Sequence, residues 1–237
     1  MYRQLAGDAV DDRTLSLKIA QACNELGKTR KLANQTTEAQ AAHRDALTCL
    51  EALGGGASAE ARFELARTYF LMGQRVGFQP GAKRAGRKPL RNGPPDRDRR
   101  PPRHKRPAMG DRPLRDDPQR EVRNKNLRRA IELLADLRED DPDNPDYRHL
   151  LALCHREIVP EFGRASELAV DEAIKILEGL ARDFPDVSDY RFDLCETYAA
   201  VETMPPGPPE QMAESMARRL GKALDIATQL VAQYPNM

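Results

Sequence analysis

The sequence predicts an all-α protein in which about four antiparallel helix hairpins stack as an α-solenoid, interrupted by one long, basic, disordered insert. Three observations predict this. One apolar pattern recurs at long spacing, a second and different pattern precedes each copy of it, and Asp, Pro and Asn mark the junctions. Composition agrees: of 237 residues, 40% are hydrophobic but only 5% are aromatic, with no Trp. That suits a core of Leu, Ala and Ile between helices better than an aromatic-rich β-sandwich.

The recurring pattern is an amphipathic helix. The segment "AIELLADL" (130–137) matches "AIKILEGL" (173–180) 43 positions later, and "ALDIATQL" (223–230) follows 50 positions after that. An earlier copy is "ALTCLEAL" (46–53). In each copy apolar residues take relative positions 1, 2, 4, 5 and 8, which form one broad stripe on a helix. A different helix precedes each copy: "LKIAQACN" (17–24), "RFELARTY" (62–69), "RHLLALCH" (148–155) and "RFDLCETY" (191–198). The unit is therefore a helix A, a turn, a helix B and a second turn.

The elements follow in order. The opening "YRQLAGDAVDD" reads like the tail of a helix B and its turn. In unit one, the small residues Gly27, Ala39 and Ala46 let two antiparallel helices approach closely, while Cys23, Leu26 and His43 fill the space between them. The run "GGG" at 54–56 is a turn to the next helix; with no strand before it, it is not a phosphate cradle. Unit two has its helices near 61–74 and 121–137, on either side of the insert. In unit three the A–B loop is "VPEFGRAS", and in unit four it is "TMPPGPPEQ". The phrases "PDNPDYR" (142–148) and "PDVSDYR" (185–191) are one turn used twice: Pro cannot continue a helix, and Asp or Ser suits an N-cap. Tyr147 and Tyr190 are expected to pack at these turns. The closing "LVAQYPNM" reads like the start of one more turn.

Leu26-Gly27 followed by Ala39, His43 and Ala46 resembles the tetratricopeptide repeat, whose unit pairs Leu-Gly in helix A with Ala, an aromatic and Ala in helix B. Cys23 stands where that family usually has Trp, and His43 where it usually has Tyr or Phe. Unit two keeps Tyr69, Met72 and Gly73; units three and four lose the Gly. The resemblance covers roughly residues 13–74 and 121–235. The Tyr-Arg phrase after a "FPDV"-type turn is similar to arrays attached to bacterial serine/threonine kinases and sigma-factor regulators. Three segments follow: 13–74 holds unit one and the first helix of unit two, 75–120 is the insert, and 121–235 holds the rest.

The insert carries fifteen Arg and Lys against five Asp, a net charge near +10 in a chain whose total is +1. Pro and Gly are frequent and large apolar residues scarce, so the segment cannot bury enough surface to offset its ordering entropy. Loop entropy grows slowly with length, so an insertion here is tolerable. A flexible arm of this charge attracts nucleic-acid phosphates or acidic protein surfaces. Phe78 is its one aromatic, too few for base stacking, and "RRPPRHKRP" also suits a proline-binding groove. The plain alternative is a solvated linker.

The sequence excludes the common catalytic signatures. It contains no GxxxxGK[ST], no GxGxxG after a strand, no HExxH and no GxSxG. Cys154 and His155 are adjacent on a helix and point about 100° apart, so they do not form a nucleophile–base dyad. Cys23, Cys49, Cys154 and Cys195 lie among apolar residues with no CxxC pair, and read as buried reduced thiols. With no clustered ligands, no metal and no cofactor are expected. No apolar run approaches a membrane span, and "MYRQLAGDAVDDRT" is no signal peptide, so the expected location is the cytoplasm.

The expected function is a non-catalytic scaffold that takes a peptide or partner helix in a groove lined mainly by A helices. Its candidate contacts are Asn24, Lys28, Lys31, Arg67, Arg148 and Arg156. The alternative is a nucleic-acid- or acidic-partner-associated protein working through 75–120.

Overall fold

The computed structural model describes residues 12–54, 58–74, 118–158, 164–200 and 208–234. The expectations for the opening segment and for most of the insert lie outside the described residues. Eight α-helices and no strand occur among them: α1 (Asp12–Leu32), α2 (Thr36–Glu51), α3 (Ala59–Gly73), α4 (Pro118–Asp140), α5 (Pro145–Glu157), α6 (Arg164–Asp183), α7 (Ser188–Ala199) and α8 (Pro209–Gln233). The odd-numbered helices carry the A pattern and the even-numbered ones the B pattern.

Local sequence fixes the boundaries. Ser58 caps α3, its hydroxyl accepting from the Ala61 N–H at 3.2 Å. Asn144 caps α5 and accepts from the N–H groups of Asp146 and Tyr147, with Pro145 in the first turn. Helix α7 departs from expectation: its cap position is Val187, without a side-chain bond, and Ser188 is already helical. The expected loops are shorter than predicted, because Arg164–Ser166 open α6 and Pro209–Gln211 open α8. Gly54 has φ +69°, a left-handed conformation that the end of α2 takes cheaply only with Gly.

The B stripe packs in register. Relative position 1 is Ala46, Ala130, Ala173 and Ala223, all buried. Position 5 buries Leu50, Leu134 and Leu177, and position 8 buries Leu137 and Leu180. Each such leucine contributes about 1.5–3 kcal/mol through apolar burial. Positions 2 and 4 flank this line. The core has two parts: a large one through α3–α8, and a smaller one of Leu17, Ala20, Ala46, Leu50 and Ala61. Consecutive helices pack together: α1 with α2, α2 with α3, α5 with α6, α6 with α7, and α7 with α8. Helices α3 and α4 meet where Gly73 faces Leu127.

Two glycines are fixed by close approach. A Cβ on Gly27 would lie 2.3 Å from His43 Cε1, and one on Gly73 would lie 2.6 Å from Leu127 Cγ. Leu127 stands at the place in α4 that His43 holds in α2. The expectation that Leu26 fills the same space is wrong: it is 45% exposed, because the buried His43 ring already lies against Gly27. Among the cysteines only Cys154 is fully buried, where desolvation raises its thiol pKa strongly; Cys23, Cys49 and Cys195 are half-buried, and all four are free.

Candidate interaction surface along the alternate helices

Alternate helices also touch: α1 with α3, α3 with α5, and α5 with α7. The α1–α3 contact holds a buried polar centre. Asn24 is 0% exposed and donates through Nδ2 to Glu64 Oε1 at 2.6 Å and to Thr68 Oγ1 at 2.8 Å. Its Oδ1 lies 3.0 Å from His43 Nδ1, so that nitrogen carries the imidazole proton and donates it. Thr68 donates to the Glu64 carbonyl at 2.8 Å, and Arg67 reaches Glu64 Oε2 at 3.3 Å. Donors and acceptors match around the whole network, which keeps these buried groups inexpensive. Burial, aided by nearby Lys31 and Lys28, holds the His43 pKa down at about 4, so the ring is neutral.

The α5–α7 contact repeats the plan with other residues. Asp193 accepts from His149 Nε2 and from Arg156, each at 2.8 Å. Burial alone would raise the Asp193 pKa; the bonds from His149 and Arg156 outweigh it and hold it low. Thr197 donates to the Asp193 carbonyl at 2.7 Å, as Thr68 does to Glu64. An acid followed four residues later by Thr thus faces the preceding A helix in both cases. At one further place the charges are exchanged. Glu25 pairs with Arg67 at 2.7 Å, and at the equivalent positions Arg156 pairs with Glu196 at 3.2 Å.

A second series ties α3, α5 and α7 each to its own B helix. Arg62 reaches Asp140 at 2.7 Å, Arg148 reaches Asp183 at 3.1 Å, and Arg191 reaches Gln233 at 2.8 Å. The arginines hold one position in their helices and the acceptors another, at the C-terminal end of helix B. Tyr147 packs on Phe63 and Tyr190 on His149, which is why the "DYR" phrase recurs.

The six residues predicted as partner contacts therefore fall into two groups. Asn24, Lys28, Lys31 and Arg67 gather at α1–α3, and Arg148 and Arg156 belong to α5. Asn24 lies inside the helix contact, with no surface to offer. Lys31 donates to Gln74 at 2.7 Å, and its partial burial lowers its pKa. Lys28 is the most open of the cations and pairs with Glu25 at 2.9 Å, a bond that lowers the Glu25 pKa. Arg148 is the clamp on Asp183, and Arg156 bridges Asp193 and Glu196. Reading the repeats for apolar spacing missed Glu64, Thr68, Asp193 and Thr197; their signal was the matched "E…T" and "D…T" of the two octapeptides at 62–69 and 191–198.

A cleft of about 320 Å³ lies among α6, α7 and α8, lined by Asp171, Glu178, Tyr198, Ser215, Arg219 and Lys222, among others. Four of its charges pair, Arg219 with Asp171 at 2.9 Å and Lys222 with Glu178 at 3.2 Å, and Arg218 also lines it. Tyr198 donates to Glu178 and accepts from Lys222 at 2.9 Å, which lowers the Glu178 pKa and raises that of Lys222. Among the described residues no group of three or more His, Cys, Asp or Glu is placed to hold a metal ion, and no helix is long and apolar enough to cross a membrane. No family model matches the chain, and no curated protein matches it.

Proposed function

We propose that this chain is a non-catalytic interaction scaffold: a TPR-like α-solenoid of about four hairpins whose A-helix side takes a peptide or partner helix. The observation that carries this reading is the contact of α1 with α3, α3 with α5, and α5 with α7, each A helix lying against the next in chain order. Such stacking leaves one continuous row of A-helix side chains for a ligand. The row carries both signs, Lys28, Arg67 and Arg156 beside Glu25 and Glu196, so a charged partner docks by opening these pairs. The Lys28–Glu25 pair is largely solvated, and opening an exposed ion pair costs about 0–1 kcal/mol. Lys28, Arg67 and Arg156 are the contacts proposed, with Lys31 and Arg148 at the margins.

Co-purification with the natural chain tests the reading. A partner retained by the natural chain and lost on Lys28→Glu at unchanged melting temperature supports it. A partner retained equally by that variant overturns it. The net charge near +10 in 75–120 favours a second reading, in which that segment binds nucleic acid or an acidic surface. Deleting 76–120 and titrating DNA and RNA across salt separates the two: an unchanged affinity removes the second reading.

A further inference from the structure

The cleft among α6, α7 and α8 is built on one face of α8. Ser215, Arg218, Arg219 and Lys222 follow at spacings of three, four and seven residues from the first, so they share an arc of about 100° on that helix, and all four line the cleft. Asp171, Ile174 and Glu178 come from α6 and Tyr198 from α7. The two acids are already engaged. Asp171 accepts from Arg219 Nη2 at 2.9 Å, and Glu178 accepts from Tyr198 and from Lys222. The bonds from Tyr198 and Lys222 hold the Glu178 pKa down, so it stays ionised. What remains is of one kind, hydrogen-bond donors. The Arg219 side chain is 14% exposed, and its Nη1 is buried with no acceptor among the described residues. Arg218, exposed at the rim, and the half-buried Ser215 have no partner there either. Three cations against two carboxylates leave one positive charge over.

We propose that this cleft binds a phosphate-type oxyanion between Arg218, Arg219 and Ser215. An oxyanion supplies acceptors, which is what a buried guanidinium N–H, a second guanidinium and a hydroxyl lack. A planar guanidinium fork matches two phosphate oxygens, and such charge-assisted bonds are about twice as strong as neutral ones. A buried donor without an acceptor costs free energy, so the ligand recovers at Arg219 Nη1 what the fold leaves unmade. A cation is not the ligand, because Asp171 and Glu178 each have their own partner cation. At about 320 Å³ the cleft reaches the lower end of small-ligand sites, about 300–1,000 Å³, so it takes the phosphate with a small carrier against Ile174. This site does not rest on the reading of the A-helix row.

The probes are inorganic phosphate and phenyl phosphate, titrated into the natural chain at constant ionic strength while NMR follows the arginine Nε–Hε signals. The Arg218 and Arg219 signals are expected to shift saturably, with a Kd of about 1 mM or tighter. Because each signal belongs to one residue, binding in the cleft is separated from binding to the basic segment 75–120. Tighter binding of phenyl phosphate assigns a phosphate ester as the ligand, and equal or weaker binding assigns the free ion; either supports the site. Arg218→Gln, at an exposed position with no bond to lose, should leave the melting temperature within about 1 °C and weaken binding about tenfold, the effect of one charge-assisted contact. Arg219→Lys keeps a cation beside Asp171 but loses the fork, and should weaken binding similarly. Arg44→Gln, the same change of charge on an exposed residue of α2, should move the Kd by less than about twofold. Shifts that never saturate, an equal loss on Arg44→Gln, or binding retained by both cleft variants overturns the proposal.

Discussion

Replacing Asn24 by Ala removes the hub of the α1–α3 contact. The side chain is fully buried and makes bonds of 2.6 Å to Glu64, 2.8 Å to Thr68 and 3.0 Å to His43. Without it the buried Glu64 carboxylate keeps only Arg67, at 3.3 Å, and the His43 Nδ1 proton loses its acceptor. A bond to a charged group contributes about 1.5–3 kcal/mol and a neutral one about 0.5–1.5 kcal/mol. The three together give a loss of about 2.5–6 kcal/mol, a large share of the roughly 5–15 kcal/mol that stabilises a typical domain. Urea unfolding followed by circular dichroism at 222 nm measures it. The double variant Asn24→Leu with Glu64→Leu should recover part of the loss, since no buried charge is then left without a donor. A loss below about 1 kcal/mol for Asn24→Ala, at unchanged m-value, would mean that Asn24 is not the hub of this contact.

Three further outcomes follow from the same contacts. His43 has a folded pKa of about 4, below its ordinary 6.5, so the unfolded chain binds the extra proton. Stability is fully present above pH 6.5 and falls by about 3 kcal/mol as pH drops to 4, and His43→Phe should flatten that part of the urea-midpoint profile. Asp193, with its pKa held low, loses stability in the same direction at lower pH, and Arg156→Ala should shrink that acid loss in a melting-temperature series. Gly73→Ala should cost about 1–3 kcal/mol in urea, because the added methyl meets Leu127 at 2.6 Å and the Arg123 carbonyl at 3.1 Å.

The helices and their inward faces were legible because their signal is periodic and local. Ala46, Ala130, Ala173 and Ala223 occupy one register position and are all buried, as the spacing alone requires. The close approach at Gly27 and His43 was legible for the same reason. The polar contacts were not. Arg148 reads as a solvated basic residue until Asp183 is seen 35 positions away, and Asn24 reads as an exposed amide until Glu64 closes over it from the next A helix. Hydrogen-bond partners depend on which helix faces lie together, a tertiary property that composition and periodicity do not encode. Leu26 was misplaced because His43 takes the space against Gly27, and the α7 cap because Val187 precedes Ser188 by one residue.

The most direct test of the stacked arrangement is a set of NOEs between side chains remote in sequence. Stacked helices give ring contacts between Phe63 and Tyr147 and between His149 and Tyr190, and a contact from the Asn24 amide protons to the Thr68 methyl. Helices that keep their secondary-structure shifts but give none of these contacts would contradict it.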